Sequence, residues 1–390
     1  MDCFCIIKKD KKTNARIGLL KTKKGNLETP VFMPVATKAS VKYLSSEDLK
    51  KIRIKAIISN TFILHLKPGE KLIKELGGIG KFMNFYGINV TDSGGFQMYN
   101  PACYIDSNDK GVFFRNPFTK QKLFITPEKD MEIQLDLNSE IAMCLDSMPL
   151  LCEPKEKIAE AVRKTVLWAK KCKKHHDQIQ ENIQKSKRQL LFAISQGGVY
   201  PDLRKKCCEQ LLKLNFDGYA IGGLALGETK EQEYNAIETH KSVIPEDKIC
   251  YLMGAGHPLE ILEAISRGVD MFDSKFLTQN ARRGTIFTSQ GKINLFNSKY
   301  AKDSNPLDKN CKCFVCNNYS KAYIRYGLKM EEGNARRLAS YHNIYYITNL
   351  IENAKKAIKK GNFLEFKEKT KKIYNKTDDK IEMSEENDGL

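Results

Sequence analysis

The stretch LLFAISQGGVYPDLRKKCCEQLLKLNFDGYAIGGL, Leu190–Leu224, decides the fold. It opens on an apolar run, Leu190–Ile194, of the length of a buried parallel strand. A Gly-Gly turn follows, and then Pro201, which favours the first turn of a helix. Leu203, Cys207, Leu211 and Leu214 form one stripe at helical spacing. A second apolar run, Tyr219–Ile221, then leads into Gly222-Gly-Leu224. Strand, helix and strand succeed one another, each strand ending in a glycine turn.

The unit recurs on both sides. Val31–Val35, Ala56–Ser59, Ile88–Val90, Ile141–Leu145, Cys250–Met253 and Met271–Phe272 complete a set of eight short apolar runs. Between the later runs, Ile158, Val162, Val166 and Ala169 form a helical stripe after Pro154. Leu259, Ile261, Leu262 and Ile265 form another before Gly268. Eight strands alternating with helices predict a (β/α)8 barrel, with an open doubly wound sheet as the alternative. Asp92-Ser-Gly-Gly-Phe-Gln97, Asp146, Gln196-Gly-Gly198, Gly222-Gly-Leu224, Gly254-Ala-Gly256 and Asp273 follow six of the runs. A barrel gathers such turns at the C-terminal mouth, where its active site lies.

The 390 residues carry 65 Lys+Arg against 47 Asp+Glu, a formal charge of +18. The stretch Asp378–Leu390 holds six acids and one lysine, leaving +23 on the remainder. An excess of that size suits a polyanionic partner such as nucleic acid. No apolar run reaches the length of a membrane span or a secretory core, so a reducing, cytoplasmic compartment is expected. The 12 cysteines then read as thiols or metal ligands. The predicted organisation is a barrel over 1–303, a metal-binding subdomain over 304–345, a helical segment over 346–377 packing on the barrel, and an unstructured acidic tail over 378–390.

Cys311-Lys-Cys313-Phe-Val-Cys316 places three thiols together, and His342 is a candidate fourth ligand 26 residues on. Three thiolates and an imidazole close a Zn2+ tetrahedron, which makes such a zinc structural. Asp92, Asp146 and Asp273 each follow a strand, where they are either helix caps or a converging set of carboxylates. Two carboxylates at a sugar's anomeric carbon can divide attack and proton transfer. Phe96 is placed to stack on a planar ligand, and Gln196 to bond an amide-like edge. His65, His175, His176, His240 and His257 show no metal spacing and read as surface or local hydrogen-bonding residues.

Thr29–Val35, Thr91–Gln97, Gln196–Tyr200, Gly218–Leu224, Tyr251–Gly254 and Asp270–Asp273, with the cysteine cluster and His342, closely resemble the tRNA-guanine transglycosylase (queuine tRNA-ribosyltransferase) family. The resemblance implies a (β/α)8 barrel with a zinc subdomain, acting as a homodimer without a redox cofactor. It implies exchange of a guanine in tRNA for a free 7-deazaguanine base. It casts Asp273 as nucleophile and Asp92 as general acid/base. Ser93, Gly94, Gly95, Phe96, Asp146, Gln196, Gly223, Leu224, Leu226 and Met253 are cast as base-binding. Gly254, Ala255, Gly256, His257, Thr278, Gln279, Asn280, Ala281 and Arg282 are cast as tRNA-binding.

Four positions depart from the family pattern. Leu226 stands where bacterial members usually carry Val and eukaryotic ones Gly, which implies a small seven-substituent, aminomethyl or cyano. Leu277 and Gln279 replace a usual Pro and Arg, and loss of that base-reading Arg is worth about 1–3 kcal/mol of discrimination. Ser147 replaces a usual acid. Without the further RNA-binding domain of archaeal relatives, the anticodon wobble guanine is the expected target. An archaeal-type D-loop enzyme inserting the 7-cyano base and a non-catalytic RNA-binding subunit are the alternatives.

Overall fold

The computed structural model describes residues 3–95, 98, 100, 102–150 and 153–387. All eight apolar runs form strands of one parallel sheet. They are β1 (Val31–Pro34), β2 (Ala56–Asn60), β3 (Ile88–Asp92), β4 (Ile141–Met143), β5 (Leu190–Ser195), β6 (Gly218–Ile221), β7 (Ile249–Leu252) and β8 (Met271–Ser274). Each pairs with its sequence neighbours, β8 pairs with β1, and a parallel Val35–Ile58 bridge joins β1 to β2. The barrel is therefore closed, and the open-sheet alternative falls away.

The strand period of two sorts the side chains. In β5, Phe192 and Ile194 join the apolar cluster that fills the barrel, while Leu191 and Ala193 join the cluster beneath the helices. Residues Phe4–Lys9, Arg16–Thr22 and Gly25–Thr29 form an antiparallel sheet. Its Phe4, Leu20 and Leu27 share the barrel's inner cluster with Met33, Val90 and Met271, so this sheet plugs the N-terminal end. A buried ion pair fastens the plug. Arg16 Nη2 lies 2.5 Å from Asp270 Oδ2, and the same oxygen accepts from the Cys250 amide at 2.8 Å. Asp270 thus serves the base of the barrel, although it stands three residues from Asp273.

After β8, the helix Phe276–Arg282 and the hairpin Thr285–Thr288/Gly291–Asn294 pack against the helix Gly333–Lys360. That helix runs through the expected boundary at 345 and carries His342. Gly361, in the left-handed conformation at φ +76°, ends it. The last helix, Phe363–Asn387, extends through most of the acidic stretch expected to lack structure. That stretch has no Gly or Pro before Gly389 and is rich in good helix formers. No helix of the described residues is long and apolar enough to cross a membrane.

Candidate active site

Asp92 ends β3. Its two carboxylate oxygens each accept from Asn60 Nδ2 at 2.9 Å, and Oδ1 also accepts from the Gly94 amide at 3.0 Å and the Thr61 amide at 3.3 Å. Asn60 ends β2 and is held in turn, because its Oδ1 accepts from the Ile63 amide and caps the helix Thr61–Leu66. Burial pushes the Asp92 carboxyl up to about 7 against these hydrogen bonds, and the charge of nearby Asp273 adds to the rise.

Asp273 lies in β8. Its Oδ1 accepts from the Tyr251 hydroxyl at 2.5 Å and from the Gly254 amide at 3.1 Å. Burial raises its pKa too, while these two donors favour the carboxylate. Burial and the Asp273 charge hold Tyr251 as a neutral phenol, a donor. Among the described residues, one carboxylate is thus tied through Oδ1 alone, and the other is held through both oxygens with its pKa near neutrality.

Asp146 and Gln196 form the adjoining polar pocket. Asp146 Oδ1 accepts from the Ser93 hydroxyl at 3.0 Å, and Oδ2 from Gln196 Nε2 at 2.6 Å. Burial pushes Asp146 up to about 6. Gln196 Oε1 is buried without a hydrogen-bond partner among the described residues. An orphaned buried acceptor is costly and marks a place for a ligand donor. Glycine is required on two sides of this pocket. A Cβ at Gly95 would lie 2.3 Å from Asp146 Oδ1, and one at Gly223 (φ +69°) 2.4 Å from Gln196 Oε1.

The other expected base-binding residues differ in exposure and surroundings. Leu224 is buried and Leu226 half-buried. The amides of Ala225 and Leu226 both donate to the Glu228 carboxylate. Met253 packs on the inner cluster of the barrel. Phe96 lies outside the described residues.

The expected tRNA-binding set divides. Gln279, Asn280 and Arg282 are half-exposed, and Arg282 Nη1 donates to the Thr278 carbonyl. Gly254 is exposed. Ala255, Gly256, Thr278 and Ala281 are buried within the protein. His257 caps the helix Pro258–Ser266, and its ring packs edge-on to Phe276, Phe287 and Tyr374. The Glu260 carboxylate accepts from the Gly256 and His257 amides and from Lys230 Nζ, which fixes the loop that supplies Gly254 to Asp273.

Sequence reading missed Asn60, Tyr251 and Glu260 as holders of the site. Asn60 had a signal, since it ends a strand run as Asp92 does. Tyr251 had one too, because it alternates with Met253 toward the barrel interior. Nothing in the sequence distinguished Glu260 from an ordinary helix cap.

Cys311, Cys313, Cys316 and His342 converge, with all four ligand atoms within 4.8 Å of one another. His342 Nδ1 lies 3.8, 3.6 and 3.3 Å from the three sulfurs in chain order. A tetrahedral metal with bonds of 2.0–2.3 Å places such atoms about 3.5 Å apart. His342 Nε2 lies 2.9 Å from the Phe287 carbonyl, a bond that turns Nδ1 toward the thiols. The donor set fits a metal ion.

The chain matches the family described as Queuine tRNA-ribosyltransferase over residues 10–376. It is 44% identical over 371 residues to the queuine tRNA-ribosyltransferase of Thermoanaerobacter sp. (strain X514), covering 95% of this chain and 97% of that one. It is 44% identical over 371 residues to that of Desulforamulus reducens, covering 95% and 98%. To that of Staphylococcus aureus (strain JH9) it is 44% identical over 362 residues, covering 93% and 94%.

Proposed function

The chain belongs to the queuine tRNA-ribosyltransferase family, a family of transferases, and from that premise we propose that it exchanges the wobble guanine of a tRNA anticodon for 7-aminomethyl-7-deazaguanine. The observation that carries the mechanism is the pair Asp92 and Asp273, close enough to interact and held in unlike ways. The Asp273 carboxylate attacks the ribose anomeric carbon, and the bond to guanine breaks. Guanine leaves with the electron pair and a proton supplied from Asp92. The incoming base gives a proton back to Asp92 and attacks the same carbon, and the Asp273 ester breaks. Two inversions retain configuration. Asp146, Gln196 and Ser93 read the base's polar edge, with the backbone at Gly223 and Leu224 beside them. The orphaned Gln196 Oε1 supports this assignment. The Cys3His cluster holds one structural Zn2+, since four protein ligands leave no open position.

The test is exchange of labelled guanine, 7-aminomethyl-7-deazaguanine or queuine into wild-type tRNA and into tRNA with the wobble guanine replaced. Incorporation of the first two bases, but not queuine, is expected, and only into wild-type tRNA. Incorporation into the replaced tRNA moves the target to the D-loop, and efficient queuine use removes the role given to Leu226.

Asp92 accepts a proton from the incoming base only as the carboxylate. Burial keeps the Asp92 pKa above the ordinary carboxylate range, so kcat/KM for the base should fall tenfold per unit below that pKa and level off above it. A profile flat from pH 5 to 8 assigns the proton transfer to another group.

A further inference from the structure

Residues Tyr104–Asn108, Gly111–Arg115 and Lys122–Ile125 form an antiparallel sheet inserted between β3 and the helix Pro127–Leu137. Its inner face is ordinary core: Val112, Phe114 and Ile125 are buried, and the Phe114 ring lies 4.4 Å from that of Phe62. Phe62 stands two residues after Asn60, which holds Asp92, so the sheet flanks the catalytic mouth.

Its outer face is different. Phe113 pairs directly with Phe124, and Arg115 with Lys122. The two rings are 4.4 Å apart and inclined by 31°. Phe124 is 38% exposed, and Arg115 and Lys122 are exposed. Lys122 Nζ lies 4.3 Å from the centre of the Phe113 ring. On the turn between the strands, Phe118 is 47% exposed, with Lys67 Nζ 5.9 Å from its ring centre. Among the described residues, Arg115, Lys122 and Lys67 have no carboxylate partner, since the ion pair of this sheet joins Asp109 to Arg163. Asp106, opposite Phe113, is the acid on this face.

Cross-strand aromatic pairing stabilises a sheet by about 0.2–1 kcal/mol. That accounts for the Phe pair but not for exposed rings beside unpaired cations. Exposed aromatics on a sheet, flanked by Arg and Lys, are the chemistry that binds unpaired nucleotides: bases stack on the rings and phosphates meet the cations. We propose that this outer face is a second contact surface for the RNA substrate. Unpaired bases lie against Phe124, and phosphates against Arg115 and Lys122, with Phe118 of the turn, and Lys67 beside it, at the end of the sheet. The inference rests on tRNA being the substrate.

The test compares wild type with Phe124→Leu and with the double variant Arg115→Glu/Lys122→Glu. The read-outs are guanine exchange and, separately, tRNA binding by fluorescence anisotropy. KM and Kd for tRNA should rise about tenfold in each variant, while kcat and the KM for guanine stay within twofold. The double variant should also show a shallower salt dependence of binding, having lost two phosphate contacts. Tightness toward tRNA within twofold of wild type in both variants overturns the proposal. The charge changes sit on exposed positions, so the double variant tests it even where Phe124→Leu disturbs the fold. Wild type that binds tRNA but exchanges nothing would instead defeat the transglycosylase reading, and the binding measurement would still decide this one.

Discussion

Asp273→Asn should abolish the covalent tRNA adduct and lower guanine exchange by more than about a thousandfold. The amide is nearly isosteric, and its oxygen can still accept from the Tyr251 hydroxyl and the Gly254 amide. The loss would therefore report nucleophilicity rather than misfolding. Tyr251→Phe is the informative companion. It removes one hydrogen bond to a charged group, worth about 1.5–3 kcal/mol. The loss should be about 10- to 100-fold, with the adduct still formed. The measurement is a denaturing gel that resolves tRNA-bound protein, run beside the exchange assay. An adduct that persists in Asp273→Asn would move the nucleophile to another carboxylate, with Asp92 examined next.

Metal removal is expected to have the second largest effect. Structural Zn2+ in small sites contributes apparent binding free energies of about 10–16 kcal/mol at neutral pH. In this chain the ligand set does not stand apart from the barrel. His342 lies on Gly333–Lys360, and that helix packs on Phe276–Arg282, which begins three residues after Asp273. Asn343, next to His342, accepts from the Phe287 amide through Oδ1 and donates to the Leu277 and Thr285 carbonyls. Chelation, or Cys316→Ser, should therefore lower the melting temperature by about 10 °C or more, since a chain of 390 residues shifts by roughly 1.2 °C for each 1 kcal/mol. Turnover on tRNA should fall as well. Elemental analysis should find about one zinc per chain. A melting temperature indifferent to chelation, with less than about a fifth of an equivalent of metal, would sink the structural-zinc assignment.

Much of the site was legible because barrel chemistry is local to strand ends. Asp146 and Asp273 follow an apolar run directly, and Asp92 and Gln196 one residue later, so naming the strands named the candidate residues. The Cys3His group that could hold a metal was legible from donor type and spacing. Where the reading ran short, the cause was three-dimensional. Thr278 and Ala281 were expected to meet tRNA, but on the helix after β8 they are buried in the protein, and Ala255, in the loop after β7, is buried as well. Asp270 and Asp273 lie in one short motif, yet they sit at the base and at the mouth of the barrel. A strand only a few residues long spans that distance.

By itself, the order of apolar runs determined a parallel sheet of eight strands buried on both faces, while its closure into a barrel was decided by the pairing of β8 with β1. The types and spacing of the cysteines and His342 likewise determined a metal-binding group. Only the tertiary structure decided how the two carboxylates proposed as catalytic differ. Both are aspartates at strand ends, and nothing in their neighbours along the chain distinguishes their ionisation. Asn60 from β2 grips both oxygens of Asp92, while Tyr251 from β7 takes a single oxygen of Asp273. Those partners come from strands far away in sequence, and a carboxyl's pKa answers to the atoms packed around it in space.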